Sequence, residues 1–211
     1  MDELTARIGK GLSDQLDGFK FVKSRWQLLK STAEGWQAIE IAVLPTSQQG
    51  TAKLAAHGQV RLDRIEETYI PFHPYLSRTE AKTHATVTIN CDSLLVDCPV
   101  VHEFRTDDQS IDMFIVDFAN AIKAHVLPWL DQYSNENAVF VGLIDDDPMR
   151  WITSDRLVRY PVLLAVLANR NQWSEFDRIA QEFANYCDLL HAQVYKPLAD
   201  ALISGLKKTR K

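Results

Sequence analysis

The chain has 211 residues, 46% of them hydrophobic and 24% charged, a composition that excludes disordered, collagen-like and fibrous polypeptides. Its 23 basic and 28 acidic side chains leave a formal charge of −5, so no global field draws it onto nucleic acid or an anionic membrane surface, and a basic partner suits it better. Residues 1 to 105 carry −1 of that charge and residues 106 to 211 carry −4.

Leu4, Ile8, Leu12 and Leu16 repeat at i, i+4 and predict an opening amphipathic helix, stopped by Asp17-Gly18. The period then changes to two. Phe19 and Phe21 alternate with Lys20, and Trp26 to Ser31 leads through a turn at Ala33-Glu34-Gly35 into Trp36 to Leu44, a hairpin with Ile39, Ile41 and Val43 on one face and Ala38, Glu40 and Ala42 on the other. A further strand over 53 to 62 is expected to bend or bulge at Gly58.

Tyr69 to Tyr75, with Pro71 and Pro74, reads as irregular. Ala85, Val87, Ile89 and Cys91 alternate with His84, Thr86, Thr88 and Asn90, the pattern of a half-buried strand with a polar outer face. A short strand is expected near Val100 to Phe104.

From Thr106 the period is helical. Ile111, Phe114, Ile115, Phe118, Ala121, Ile122, His125 and Trp129 line one predicted face, capped by Thr106 or Asp107 and kinked or ended at Pro128. An apolar run over 138 to 144 precedes Asp145-Asp146-Asp147-Pro148, and Tyr160-Pro161 suggests the start of a helix carrying Val162 to Ala168. After a turn at Asn169-Arg170-Asn171, two more amphipathic faces run through Trp173, Phe176, Phe183 and Leu190, then Tyr195, Leu198, Leu202 and Leu206. The expected architecture is α+β, with an N-terminal helix and antiparallel sheet packed against a C-terminal helical set. It forms one body over 1 to 211, with a sheet-rich half at 1 to 105 and a helical half at 106 to 211.

Three cysteines, Cys91, Cys98 and Cys187, and the acidic start Met1-Asp2-Glu3-Leu4 predict no disulfide framework and no signal peptide, hence a cytoplasmic protein. The apolar stretches, such as Val162 to Ala168, are too short to span a bilayer. No Gly-x-Ser-x-Gly, phosphate-cradling Gly-x-x-x-x-Gly-Lys, Gly-x-Gly-x-x-Gly or His-Glu-x-x-His occurs, so no catalytic residue or cofactor is assigned and an enzyme is disfavoured.

Three constellations remain. His84, Cys98 and His102 have zinc-ligand chemistry without a Cys-x-x-Cys pair, the basis of an alternative enzyme or zinc-binding reading. Trp26 and Trp36, near Lys20, Lys23, Arg25 and Lys30, offer a stacking face for single-stranded nucleic acid, which the acidic balance opposes. Asp145, Asp146 and Asp147 with Trp151 are the candidates for a partner surface, since clustered acids steer a basic protein and tryptophan anchors interfaces. They lack the glycine and terminal glutamate of a calcium loop.

Phe19-Lys20-Phe21-Val22-Lys23-Ser24-Arg25, then Leu28, Gly35-Trp36-Gln37 and Ile39, resemble the opening of an uncharacterised group of bacterial domains of unknown function. In that group a Gly-Phe, a nearby serine and a Gly-x-x-x-Ile hairpin follow a first helix. The resemblance covers residues 1 to 45 and implies strand and turn structure rather than chemistry. Related small acidic bacterial proteins are suspected immunity or partner-binding proteins. The leading expectation is therefore a protein-binding module of inhibitor or immunity type.

Overall fold

The computed structural model describes residues 1–95, 103–144, 152, 155–190 and 192–210, with the side chains of 192–194 outside that description. The fold is α+β, containing an N-terminal helix, a six-stranded antiparallel sheet and a C-terminal helical set. By its internal contacts the chain divides into two compact units, Met1–Val60 with Thr88–Ser134, and Arg61–Val87 with Asn135–Lys211.

The first unit opens with α1 (Asp2–Gln15), whose buried face carries Ile8 and Leu12 and which ends at an extended Leu16, and Gly18 takes a positive φ of 79° in the turn that follows. Strands β1 (Lys20–Val22), β2 (Gln27–Ser31) and β3 (Gly35–Pro45) form an antiparallel meander in which Leu28 faces Ile39 and Ser31 faces Trp36. Ile39, Ile41 and Val43 are buried and Glu40 and Ala42 exposed, as the alternation predicts. Ala38 and Gln37 are buried as well. Gln37 is held by Asp131 Oδ1 and Ser134 Oγ, each at 2.8 Å.

Strand β4 (Thr51–Leu62) runs unbroken through Gly58, where a Cβ would lie 3.1 Å from Ile89 Cγ2, so close packing rather than a chain reversal calls for glycine. Within β4 the chain leaves the first unit. It re-enters through β5 (Val87–Asn90) and goes on to β6 (Glu103–Arg105), paired with the start of β4. Helix α4 (Asp108–Ala121), capped by Asp107, stacks Phe114 between Phe104 and Phe118 at centroid distances of 4.2 and 5.5 Å.

Pro128 does not end this helix. A π-turn over Ile122–Val126 carries it into α5 (Leu127–Gln132). The extra residue in the wider turn rotates the buried face, so that Val126 and Leu130 follow Ile122 inward while His125 is exposed.

The second unit begins with two short helices absent from the periodicity, α2 (Asp63–Tyr69) and α3 (Arg78–Thr83). Helix α6 (Glu136–Ile144) precedes α7 (Arg156–Asn169). Asp155 caps α7, accepting the Leu157 N–H at 2.9 Å, so the helix starts before Pro161 and includes it. Tyr160 to Ala168 are all buried, because α7 is surrounded by α2, α6 and the helices α8 (Trp173–Leu189) and α9 (Ala192–Lys207). No helix of the described residues is long and apolar enough to cross a membrane.

Candidate functional site

In the second unit a fully buried carboxylate sits beside an imidazole. The nearly two turns of α2 place Glu66 and Tyr69 on one face, three residues apart, and both are buried with Ile65 where α2 meets α7. Glu66 is 0% exposed and would be costly to bury alone. Thr86 Oγ1 donates to Glu66 Oε1 at 2.8 Å, Tyr69 Oη donates to Oε2 at 3.0 Å, and His84 Nδ1 lies 2.9 Å from Oε2.

Arg61 fixes the segment that brings His84 to this carboxylate. Its guanidinium pairs with Asp63 at 2.6 Å and donates to the carbonyls of Ala81 at 2.7 Å and His84 at 3.0 Å. Helix α3 is closed at its other end by a capping box in which Ser77 and Glu80 satisfy each other's backbone N–H. His84 is thus held by its main chain and by one ring nitrogen.

The protons follow from the partners. Burial, and then the neighbouring Glu66, push the Tyr69 phenol well above its ordinary value of 10.0, against a smaller opposing pull from Arg61. The hydroxyl therefore stays protonated and donates to Glu66. The Tyr69 hydroxyl oxygen also lies 3.0 Å from His84 Nδ1, so phenol, imidazole and carboxylate meet at one point. Nε2 takes no hydrogen bond among the described residues. In His73 the Nδ1 accepts the Tyr75 N–H at 3.3 Å, so the neutral ring carries its proton on Nε2. Burial, and next the nearby His84, lower the His73 pKa from 6.5 and favour this neutral form.

Tyr69, His73 and His84 line one part of a cavity of about 150 Å³, and Leu157, Val158, Pro161 and Leu198 line the rest. Small-molecule sites run from roughly 300 to 1,000 Å³. A cavity of about 150 Å³ admits something the size of benzene. Among the described residues the cavity's polar lining is the Tyr69 hydroxyl, 3.0 Å from His84 Nδ1, and the two imidazoles. The cavity has room for one ring-sized group beside the two imidazoles.

Of the residues singled out in the sequence, His84 belongs to this cluster, while Cys98 and His102 lie outside the described residues, as do Asp145, Asp146, Asp147 and Trp151. No group of three or more histidine, cysteine or acidic side chains able to hold a metal occurs among the described residues. Trp26, in the left-handed conformation at φ 53°, packs its ring 6.3 Å from that of Phe21. Glu66, Tyr69, Thr86 and His73 escaped the sequence reading. The available signal was the Ile65, Glu66, Tyr69 spacing of one helical face.

No protein-family model matches the chain, and comparison with curated proteins and with solved structures finds no match to either.

Proposed function

We propose that the protein is a cytoplasmic bacterial binding protein, an inhibitor or immunity-type partner of another polypeptide, and that its second-unit cavity receives one side chain of that partner. The observation that carries this reading is the size of the cavity beside an imidazole held at Nδ1 by Glu66. It is too small for a substrate of ordinary size and has the dimensions of one anchor residue. In this reading the acidic run Asp145-Asp146-Asp147 steers a basic partner toward the surface, and Trp151 adds a second anchor.

The test is a titration with the partner, isolated by affinity capture and then purified. Filling the cavity with Val158→Trp is expected to weaken binding by about thirtyfold or more, as loss of an interface anchor does. Replacing the three aspartates by asparagine is expected to slow association and flatten its salt dependence, with little effect on dissociation. Unchanged affinity in folded Val158→Trp would remove the cavity from the interface.

A second reading, zinc binding, draws on one observation. A carboxylate that accepts from the distal nitrogen of an imidazole is the usual support of a zinc-bound histidine. Since Glu66 lies against Nδ1, His84 would bind metal through Nε2. Metal analysis of protein purified without chelator decides it, because substoichiometric zinc would end this reading.

A further inference from the structure

In the first unit, the hairpin of β1 and β2 presents three cations without acidic partners among the described residues. We propose that its tip binds single-stranded nucleic acid, with Lys20, Lys23 and Arg25 on the phosphates and Trp26 under a base. The site draws on none of the groups that line the second-unit cavity, so it stands or falls apart from the reading above.

From Gly18 to Ala33 the chain carries Lys20, Lys23, Arg25 and Lys30 and no acid, in a protein whose formal charge is −5. Lys30 lies over the Phe19 ring at 5.5 Å. Lys20, Lys23 and Arg25 are exposed and meet no carboxylate among the described residues, whereas Arg7, Arg61, Arg105 and Arg178 each pair with one. The negative total does not mask them, since exposed charges are screened beyond about 8 Å at physiological salt.

The tip is a 3₁₀ turn, Lys23–Arg25, closed by Trp26 at φ 53° and ψ 40°, the left-handed region where glycine is the usual residue. Two main-chain bonds hold it there. Its N–H donates to the Lys23 carbonyl at 3.3 Å, and its own carbonyl accepts the Ile41 N–H at 2.9 Å. Glycine would make this turn without strain, so the indole is there for its side chain. Contact with Phe21, at 6.3 Å between ring centroids, leaves it partly exposed.

A partner strand cannot add here. Although β1 is the outermost strand, Ser13 Oγ of α1 accepts the Phe21 N–H at 3.3 Å and donates to the Phe19 carbonyl at 2.9 Å, so α1 occupies that edge. Recognition therefore falls to side chains. An acidic protein surface would engage the cations and leave the indole unused, whereas a nucleotide sets a phosphate on a cation and a base on an indole. A duplex hides the faces of its bases, so the strand is single. Trp36 takes no part, because it opposes Ser31 at the far end of β2, roughly 16 Å along the strand from Trp26.

Fluorescence anisotropy of a labelled oligothymidylate, titrated with the intact protein, tests the assignment. Three phosphate contacts predict that log K falls with log salt at a slope of about −2, and Lys23→Gln and Arg25→Gln should each remove about 0.7 of that slope. An abasic strand of the same length should bind about tenfold more weakly, as loss of one stacked base predicts. Trp26→Gly and Trp26→Asn both suit the left-handed backbone, and each is expected to abolish the preference for bases while leaving the slope unchanged.

Absence of binding to folded wild-type protein at low salt, or equal affinity for the abasic strand, would overturn the proposal. Either folded Trp26 variant that retains the preference overturns the role of the indole, and a slope unchanged in both folded charge variants overturns that of the cations. A polyglutamate of equal length that binds as tightly as the oligonucleotide would make the partner an acidic protein, and the nucleic-acid assignment is then wrong.

Discussion

Thr86 Oγ1 donates to Glu66 Oε1 at 2.8 Å and at the same time accepts the Leu62 backbone N–H at 2.9 Å. One hydroxyl thereby ties the end of β4 to the buried carboxylate of α2, and Thr86 itself is 0% exposed. The strand's alternation assigns Thr86 to a solvated outer face. It is inside because a buried carboxylate needs donors, and a hydroxyl at this position supplies one.

Replacing Thr86 with valine keeps the volume and removes both bonds. A buried N–H loses its acceptor and a carboxylate oxygen loses a donor, so the expected loss is about 2 to 4 kcal/mol of unfolding free energy. Urea unfolding with an unchanged m-value checks it, and Thr86→Ser should recover part of the loss. A valine variant as stable as the wild type would mean that the hydroxyl contributes nothing net.

The first 45 residues were the most legible because period and position coincide there. Ile8 and Leu12 repeat on one helical face, and Ile39, Ile41 and Val43 alternate along a strand, so each pattern alone predicts burial. The cluster around Glu66 was illegible for the converse reason. Its helix has seven residues, too few for a period, and an isolated glutamate between Ile65 and Tyr69 looks like any surface acid until the donors from distant sequence are assembled around it. Two further departures have local causes. At Pro161 the ring marks an interior position, whereas the start is set by Asp155, and at His125 the π-turn shifts the inward face by one residue to Val126.

His73 gives the protein a pH dependence of defined sign. Burial and then His84 lower its folded pKa below the 6.5 of the unfolded chain, while Glu66 offsets part of the effect. The unfolded state therefore binds more protons in that window, so the contribution of His73 to stability is fully present above pH 6.5 and is lost as pH falls through 6.5 toward the lower folded value. The wild type is expected to lose more stability between pH 7 and pH 5 than His73→Gln does. Parallel pH profiles for the two proteins would show that His73 does not carry this linkage.

Cys91 and Cys187 are both buried and unpaired in disulfides. Burial pushes the Cys91 thiol up to about 12 and the Cys187 thiol to about 11, with neighbouring aspartates adding in the same direction. Since the thiolate is the nucleophile, both should resist iodoacetamide at pH 8 in the folded protein and react fully in urea. Peptide mapping distinguishes the two sites from Cys98. Rapid native alkylation at Cys91 would contradict the tight packing around it.

Gly205 lies buried in α9, where an added Cβ would overlap the ring and Cβ of Phe72. Alanine there has opposite effects. It raises intrinsic helix propensity by about 1 kcal/mol, but it forces apart a contact whose nearest atoms include the Phe72 Cβ, which cannot rotate away. Overpacking of this kind costs about 1 to 3 kcal/mol, so Gly205→Ala is expected to be destabilising on balance. Phe72→Leu, which replaces the ring with a smaller side chain, should recover stability in the Gly205→Ala background by more than it changes the wild type. A double-mutant cycle by thermal unfolding measures that coupling, and strict additivity would mean that the helix accommodates the methyl group without contact between these two residues.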